Sequence, residues 1–151
     1  MLNQPLADFE LPATGGKTFK LSQYPRKRLV IYFYPKDNTP GCTTESMQFR
    51  DHYAEFQHLG CDIVGISRDS VKSHEGFKAK LSLPFDLLSD TAETACQMFG
   101  VMKLKNMYGK QVRGIERSTF IIDQKSVLVT EWRGVKVSNH VQTVLDFIKT
   151  L

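Results

Sequence analysis

Leu29-Val30-Ile31-Tyr32-Phe33-Tyr34-Pro35-Lys36-Asp37-Asn38-Thr39-Pro40-Gly41-Cys42 is the stretch whose reading decides the fold. Its first six residues are continuous, β-branched and aromatic, the pattern of a strand buried on both faces of a sheet. The segment from Thr43 to about Leu59 reads as a helix, with Cys42, Phe49, Tyr53 and Phe56 on one face and Gly60 as terminator. Cys42 therefore falls at a loop-to-helix junction beyond the C-terminal end of a central strand, where open α/β sheets place their chemistry. A helix N-terminus presents unpaired N–H groups and about half a positive charge, and both favour a thiolate over a thiol. Pro35, Pro40 and Gly41 fix the loop and let the backbone come close to whatever Cys42 meets. The residues by themselves point to a nucleophilic cysteine.

Moving outward, a strand at about 62–67 is followed by a helix at about 71–81. Strand, helix and strand from 29 to 67 make one right-handed βαβ unit with parallel strands. Upstream, residues 7–11 and 17–21 fit a short hairpin around Thr14-Gly15-Gly16. Downstream, residues 85–88 add a short strand, and Asp90 and Glu93 fit a capping pair for a helix over 91–99. That helix has the apolar stripe Ala92, Ala95, Cys96 and Phe99. Residues 101–114, with Tyr108-Gly109, read as a long loop. Ile115–Ile122 and Val127–Trp132 read as strands joined by a polar turn at 123–126. Ser138 or Asn139 caps a last helix carrying Val141, Val144, Leu145 and Ile148. This order predicts an α/β protein of thioredoxin-like fold in one domain over residues 1–151. A central mixed sheet is flanked by helices, with an N-terminal β-hairpin extension and an inserted helix.

A chain of 151 residues, 41% hydrophobic and 24% charged, suits a globular domain with a real core. No run approaches the roughly 18 apolar residues of a membrane helix, and the N-terminus lacks a secretory pattern, so no membrane role and a cytoplasmic setting are expected. The net charge of +4 is spread along the chain, with only Arg26-Lys27-Arg28 and the Lys103/Lys105/Lys110/Arg113 region dense. Neither cluster carries the interleaved aromatics or motif of a nucleic-acid site, so no nucleic-acid partner is expected. Three cysteines make no disulfide framework, and without C-x-x-C spacing or a histidine pattern they make no metal site.

Pro35-x-x-x-Thr39-x-x-Cys42 resembles the active-site signature of the peroxiredoxins. Tyr32 through Lys36 and Thr39 through Thr43 are similar to the bacterioferritin comigratory protein (peroxiredoxin Q) branch, and the likeness runs along essentially the whole chain. Phe49-Arg50-Asp51, Gly65-Ile66-Ser67, Leu87-Leu88-Ser89-Asp90, Phe99-Gly100-Val101 and Arg117-Ser118-Thr119-Phe120-Ile121-Ile122-Asp123 fall where that branch has comparable segments. The resemblance implies a thiol-specific peroxidase of antioxidant defence, reducing hydrogen peroxide and organic hydroperoxides without a cofactor. Cys42 would be the peroxidatic cysteine, attacking a peroxide oxygen and leaving as sulfenic acid. Thr39 would hold thiolate and peroxide by its hydroxyl, Pro35 would shield the site from water, and Arg117 would stabilise negative charge. Glu45 matches a position that helps orient the arginine; in the first helical turn, where it is expected, a carboxylate is favourable in any case.

Elementary chemistry agrees with these parts. A cysteine of pKa about 8.5 is only a few per cent thiolate at pH 7. Lowering that value to about 6 gains roughly thirtyfold at best, and less once the accompanying fall in nucleophilicity is counted. Most of the catalysis must come from aligning the O–O bond and stabilising the departing oxygen.

The chain departs from the branch at one position. Many members carry a resolving cysteine five residues after the first, where this chain has Met47, expected to pack. Cys61, expected to be partly accessible, and Cys96, expected to be buried on its helix, are the two remaining candidates to resolve the sulfenate. The preferred expectation is a one-cysteine mechanism with an external thiol reductant: thioredoxin, glutaredoxin or glutathione. The resemblance also favours a monomer or weak homodimer. The alternative is a thioredoxin-like thiol–disulfide oxidoreductase, which would need C-x-x-C where this chain has Thr39-Pro40-Gly41-Cys42.

Overall fold

The computed structural model describes residues 1–151. In chain order the elements are β1 (Glu10–Ala13), β2 (Lys17–Lys20), β3 (Arg28–Phe33), α1 (Pro40–Asp51), α2 (Tyr53–His58), β4 (Cys61–Ser67) and α3 (Val71–Leu81). Then come β5 (Leu87–Ser89), α4 (Thr94–Met98), β6 (Met102–Met107), β7 (Lys110–Ile115), β8 (Ser118–Ile122), β9 (Leu128–Arg133) and α5 (His140–Ile148). Seven strands form one mixed sheet in the order β2-β1-β5-β4-β3-β8-β9, and β6 and β7 form a separate hairpin.

β3 lies inside this sheet, parallel to β4 and antiparallel to β8. Its side chains alternate between two cores, as strand geometry requires. Leu29, Ile31 and Phe33 join the core that contains α4, with Phe99, Phe120 and Cys96. Val30, Tyr32 and Tyr34 join the core under the other helices, with Cys42, Phe49, Phe56, Phe77 and Leu145. Gly65 on β4 is a packing necessity: a Cβ there would stand 2.8 Å from Tyr32 Cζ and 2.9 Å from Leu87 Cδ2. The room it leaves lets the buried Tyr32 hydroxyl meet Ser46 Oγ of α1 at 2.9 Å.

The βαβ unit and the helix over 71–81 match expectation; the N-terminal hairpin forms around the Gly-Gly turn with its first strand at Glu10–Ala13 and not 7–11, and five further details differ. The helix expected over 43–59 begins at Pro40 and divides at His52, where φ is −101° and ψ 4°. The strand expected over 115–122 breaks at Glu116 and Arg117, with Ile115 closing β7. Asp90 and Glu93 are not a capping pair for a helix over 91–99. α4 starts at Thr94, Asp90 accepts from the Cys96 N–H at 2.7 Å, and Glu93 pairs with Arg68 and Arg113. Asn139 precedes α5 with φ 60° and makes no side-chain cap. Finally, 101–114 is a hairpin and not a loop. Met102-Lys103-Leu104-Lys105 alternates, and Tyr108 and Gly109, at φ 53° and 77°, supply the two positive values of a tight hairpin turn. No helix is long and apolar enough to cross a membrane.

Candidate active site

Cys42 is the third residue of α1, after Pro40 and Gly41, with Thr39 at the cap position. Proline at the start of a helix loses no hydrogen bond, because the N–H it lacks would have no partner within the helix. Thr43 N–H closes the first turn on the Thr39 carbonyl at 2.9 Å, leaving the Gly41 and Cys42 amides ahead of the ladder. The Thr39 hydroxyl does not cap the helix; it donates to the Lys36 carbonyl at 2.8 Å and stiffens its own loop.

The β3–β8 register brings a distant residue to this place. Phe33 at the end of β3 lies opposite Ser118 at the start of β8. Arg117, one residue earlier, therefore reaches the end of the sheet where Cys42 sits. Its Nη2 donates to Cys42 Sγ at 3.4 Å and its Nη1 to Glu45 Oε1 at 2.7 Å. Gly41 makes room, since a Cβ on it would stand 3.0 Å from Arg117 Nη2. Cys42 and Glu45 are fully buried, and the Arg117 side chain is 15% exposed. Burial works against the Arg117 charge, but Glu45 and Cys42 outweigh it and hold its pKa above the ordinary value. For Glu45 burial wins: despite Arg117, its pKa is pushed up to about 7. The second carboxyl oxygen, Oε2, is buried without a partner, which is why ionisation is so disfavoured. Glu45 is in the second turn, behind the arginine, so the helix-dipole explanation for it fails.

A hollow of about 280 Å³ opens beside the loop, lined by Pro35, Lys36 and Thr39 on one side and by the β6–β7 hairpin on the other. Its apolar wall is Met107, Val112 and Ile115, with no aromatic residue in it. Cys42 itself does not line this hollow, and two larger ones, of about 420 and 370 Å³, lie elsewhere on the surface, away from the loop.

The AhpC/TSA family profile matches residues 2–130. Peroxiredoxin Bcp of Xanthomonas campestris is 50% identical over 151 residues, 99% of this chain and 94% of that protein. The Bcp peroxiredoxin of Bacillus subtilis is 48% identical over 150 residues, 99% of this chain and 96% of that protein. Among solved structures, peroxiredoxin Q of Xylella fastidiosa superposes with a TM-score of 0.94 at 42% identity, covering 99% of this chain and 96% of that one. The bacterioferritin comigratory protein of X. campestris, described for its alkyl peroxide reduction activity, superposes at 0.89 with 49% identity, covering 94% and 90%.

The chain belongs to the AhpC/TSA family. Within it, this is a peroxiredoxin of the Bcp, or peroxiredoxin Q, branch. As a peroxiredoxin it is a thiol peroxidase, an oxidoreductase that uses a peroxide and a thiol reductant.

The structure brings Pro35, Thr39, Gly41, Cys42, Glu45 and Arg117 to one corner, and leaves Cys61 and Cys96 outside it. Cys61 opens β4, opposite Arg28 at the far end of β3, about five residues or roughly 17 Å of strand away from the corner. It is 1% exposed and not the accessible thiol expected. Burial and then the Asp62 charge push its pKa up to about 12. Cys96 is buried in the core on the opposite face of the sheet from Cys42. Met47 packs against the core under α1.

The sequence reading missed Lys105. Its Nζ donates to the Ile115 carbonyl at 2.5 Å while its side chain lines the hollow. Burial, then the Arg117 charge, lowers its pKa. The alternation at 102–107 was the available signal.

Proposed function

We propose that Cys42 is the peroxidatic cysteine of a one-cysteine peroxidase working on hydrogen peroxide and alkyl hydroperoxides. The observation that carries this is the Arg117 guanidinium spanning Cys42 Sγ and Glu45 Oε1. The Cys42 thiolate attacks the distal peroxide oxygen; a sulfur–oxygen bond forms and the O–O bond breaks. Water or an alcohol leaves after the departing oxygen takes a proton, and Cys42 is left as sulfenic acid. Arg117 and the free amides at the start of α1 stabilise the charge that moves from sulfur to oxygen. Thr39 orients the peroxide, and Pro35 walls off water. The apolar residues of the hollow suit an alkyl group, in keeping with the activity described for the X. campestris relative.

The positions of Cys61 and Cys96 favour an external reductant, a thiol of the thioredoxin, glutaredoxin or glutathione kind. That thiol attacks the sulfenic sulfur, water leaves, and a second thiol frees Cys42. The remaining parts of the proposal are one domain over residues 1–151, a cytoplasmic setting in antioxidant defence, and a monomer or weak homodimer. Stopped-flow peroxide consumption tests the nucleophile, and wild-type rates in Cys42→Ser would remove Cys42 from the mechanism. Non-reducing mass spectrometry after one equivalent of peroxide tests the resolution step. It should show a Cys42 sulfenic acid or its adduct with added thiol, whereas an intramolecular disulfide would end the one-cysteine claim.

A further inference from the structure

The loop between β3 and α1 is held at its middle by one side chain. Asp37 is 4% exposed. Its Oδ1 accepts from the Tyr34 hydroxyl at 2.6 Å, and its Oδ2 accepts from Ser73 Oγ and His74 Nδ1, both at 2.8 Å. Its backbone N–H donates to Asp69 Oδ2 at 2.9 Å. Burial opposes the Asp37 charge, but the bonds from His74 and Tyr34 outweigh it and hold its pKa below the ordinary value.

His74, on α3, is fully buried, and its Nε2 lies 2.9 Å from the Leu88 carbonyl oxygen of β5. Both ring nitrogens are therefore engaged, Nδ1 by the loop carboxylate and Nε2 by the backbone of β5, so the ring ties the loop to the sheet. Three titratable groups face it: the Asp37 carboxylate, the Asp69 carboxylate within 4.8 Å, and the Tyr34 phenol 3.4 Å from Nδ1.

We propose that His74 is a positioning residue for the peroxidase reaction: through Asp37 it sets the shape of the loop that carries Pro35 and Thr39 and leads into Cys42. The loop needs such a hold, because Asn38 sits at φ 64° and the Thr39 hydroxyl is aimed by a bond to Lys36 within the same loop. His74 does not line the hollow. The proposal rests on Cys42 being the nucleophile, with Thr39 and Pro35 beside it.

Three measurements on the full chain test it. In His74→Gln and Asp37→Asn, kcat/KM for hydrogen peroxide should fall about tenfold to a hundredfold, the usual cost of misplacing a reacting group by an ångström or less. The rate of Cys42 alkylation by iodoacetamide, which needs no peroxide alignment, should stay within about twofold of wild type on the same reasoning. Wild-type kcat/KM in both variants overturns the proposal, and so does an equal fall in peroxide and alkylation rates. If the variants do not fold, Ser73→Ala decides, because it removes one bond to Asp37 Oδ2 and leaves the buried ring in place. A fall in kcat/KM larger than any fall in alkylation rate is expected, and wild-type kcat/KM overturns the proposal. Unaltered peroxide consumption in Cys42→Ser would instead strike the underlying assignment of the nucleophile, a result separable from all of these.

Discussion

On one face of the sheet Cys42 lies in a core of Tyr32, Phe49 and the aliphatic side of α5; on the other, Cys96 lies in a core of Phe33, Phe99 and Phe120. Both thiols are at the starts of helices and both are completely buried. Their nearest charges differ. Cys42 meets the Arg117 guanidinium at 3.4 Å. Cys96 has Asp90 and Glu93 as charged neighbours, with Arg68 opposing them more weakly, and burial, then Asp90, pushes its pKa well up. In the proposed mechanism, then, a dry helix N-terminus does not by itself separate the two thiols; the sign of the charge set against the sulfur does.

Removing that charge is the most damaging test. Arg117→Met should lower kcat/KM for peroxide by about two to three orders of magnitude, the range for losing one oxyanion donor. Stopped-flow rates within tenfold of wild type would mean that the arginine does not separate the two thiols.

Glu45 offers a sharper test, because its carboxyl shares the arginine. Its folded pKa, about 7, lies above the unfolded value near 4.5. A raised folded pKa gives stability that is complete below the unfolded value and is lost as pH rises through the folded one. Glu45→Gln cannot ionise. Chemical denaturation of both proteins from pH 4.5 to 8 should therefore show the variant gaining on wild type by up to about 3 kcal/mol. A constant difference across that range would mean that Arg117 keeps Glu45 ionised throughout.

Gly65→Ala probes how the Cys42 face is built. The new methyl would press on Tyr32 and Leu87 and should cost about 1–3 kcal/mol in denaturant titrations. The smallest effect belongs to the other thiols. Cys61→Ala with Cys96→Ala should leave peroxide turnover with a thiol reductant unchanged, measured as steady-state rates. Loss of turnover there, with the first peroxide reduction intact, would make one of them a resolving cysteine after all.

Much of the fold was legible because its signals are local. The apolar run 29–34, the helical segment over 71–81 and the Gly-Gly turn each specify an element from neighbouring residues. The hairpin at 102–115 was missed because its alternation is short and its apolar residues, such as Leu104 and Met107, face outward. Asp90 and Glu93 were misassigned because their spacing fits a capping box, while packing starts the helix later and turns Glu93 toward Arg113.

The chain's own order of residues established a strand, a rigid proline-bounded loop and a cysteine at the start of a helix, since backbone preference and periodicity act over a few positions. Tertiary structure decided which charges surround that cysteine. The antiparallel pairing of β3 with β8 carries Arg117 to it across 75 positions, and the packing of α3 carries His74 to Asp37 across 37. Such contacts depend on register and burial, and neither is written in the neighbours of the residues that meet.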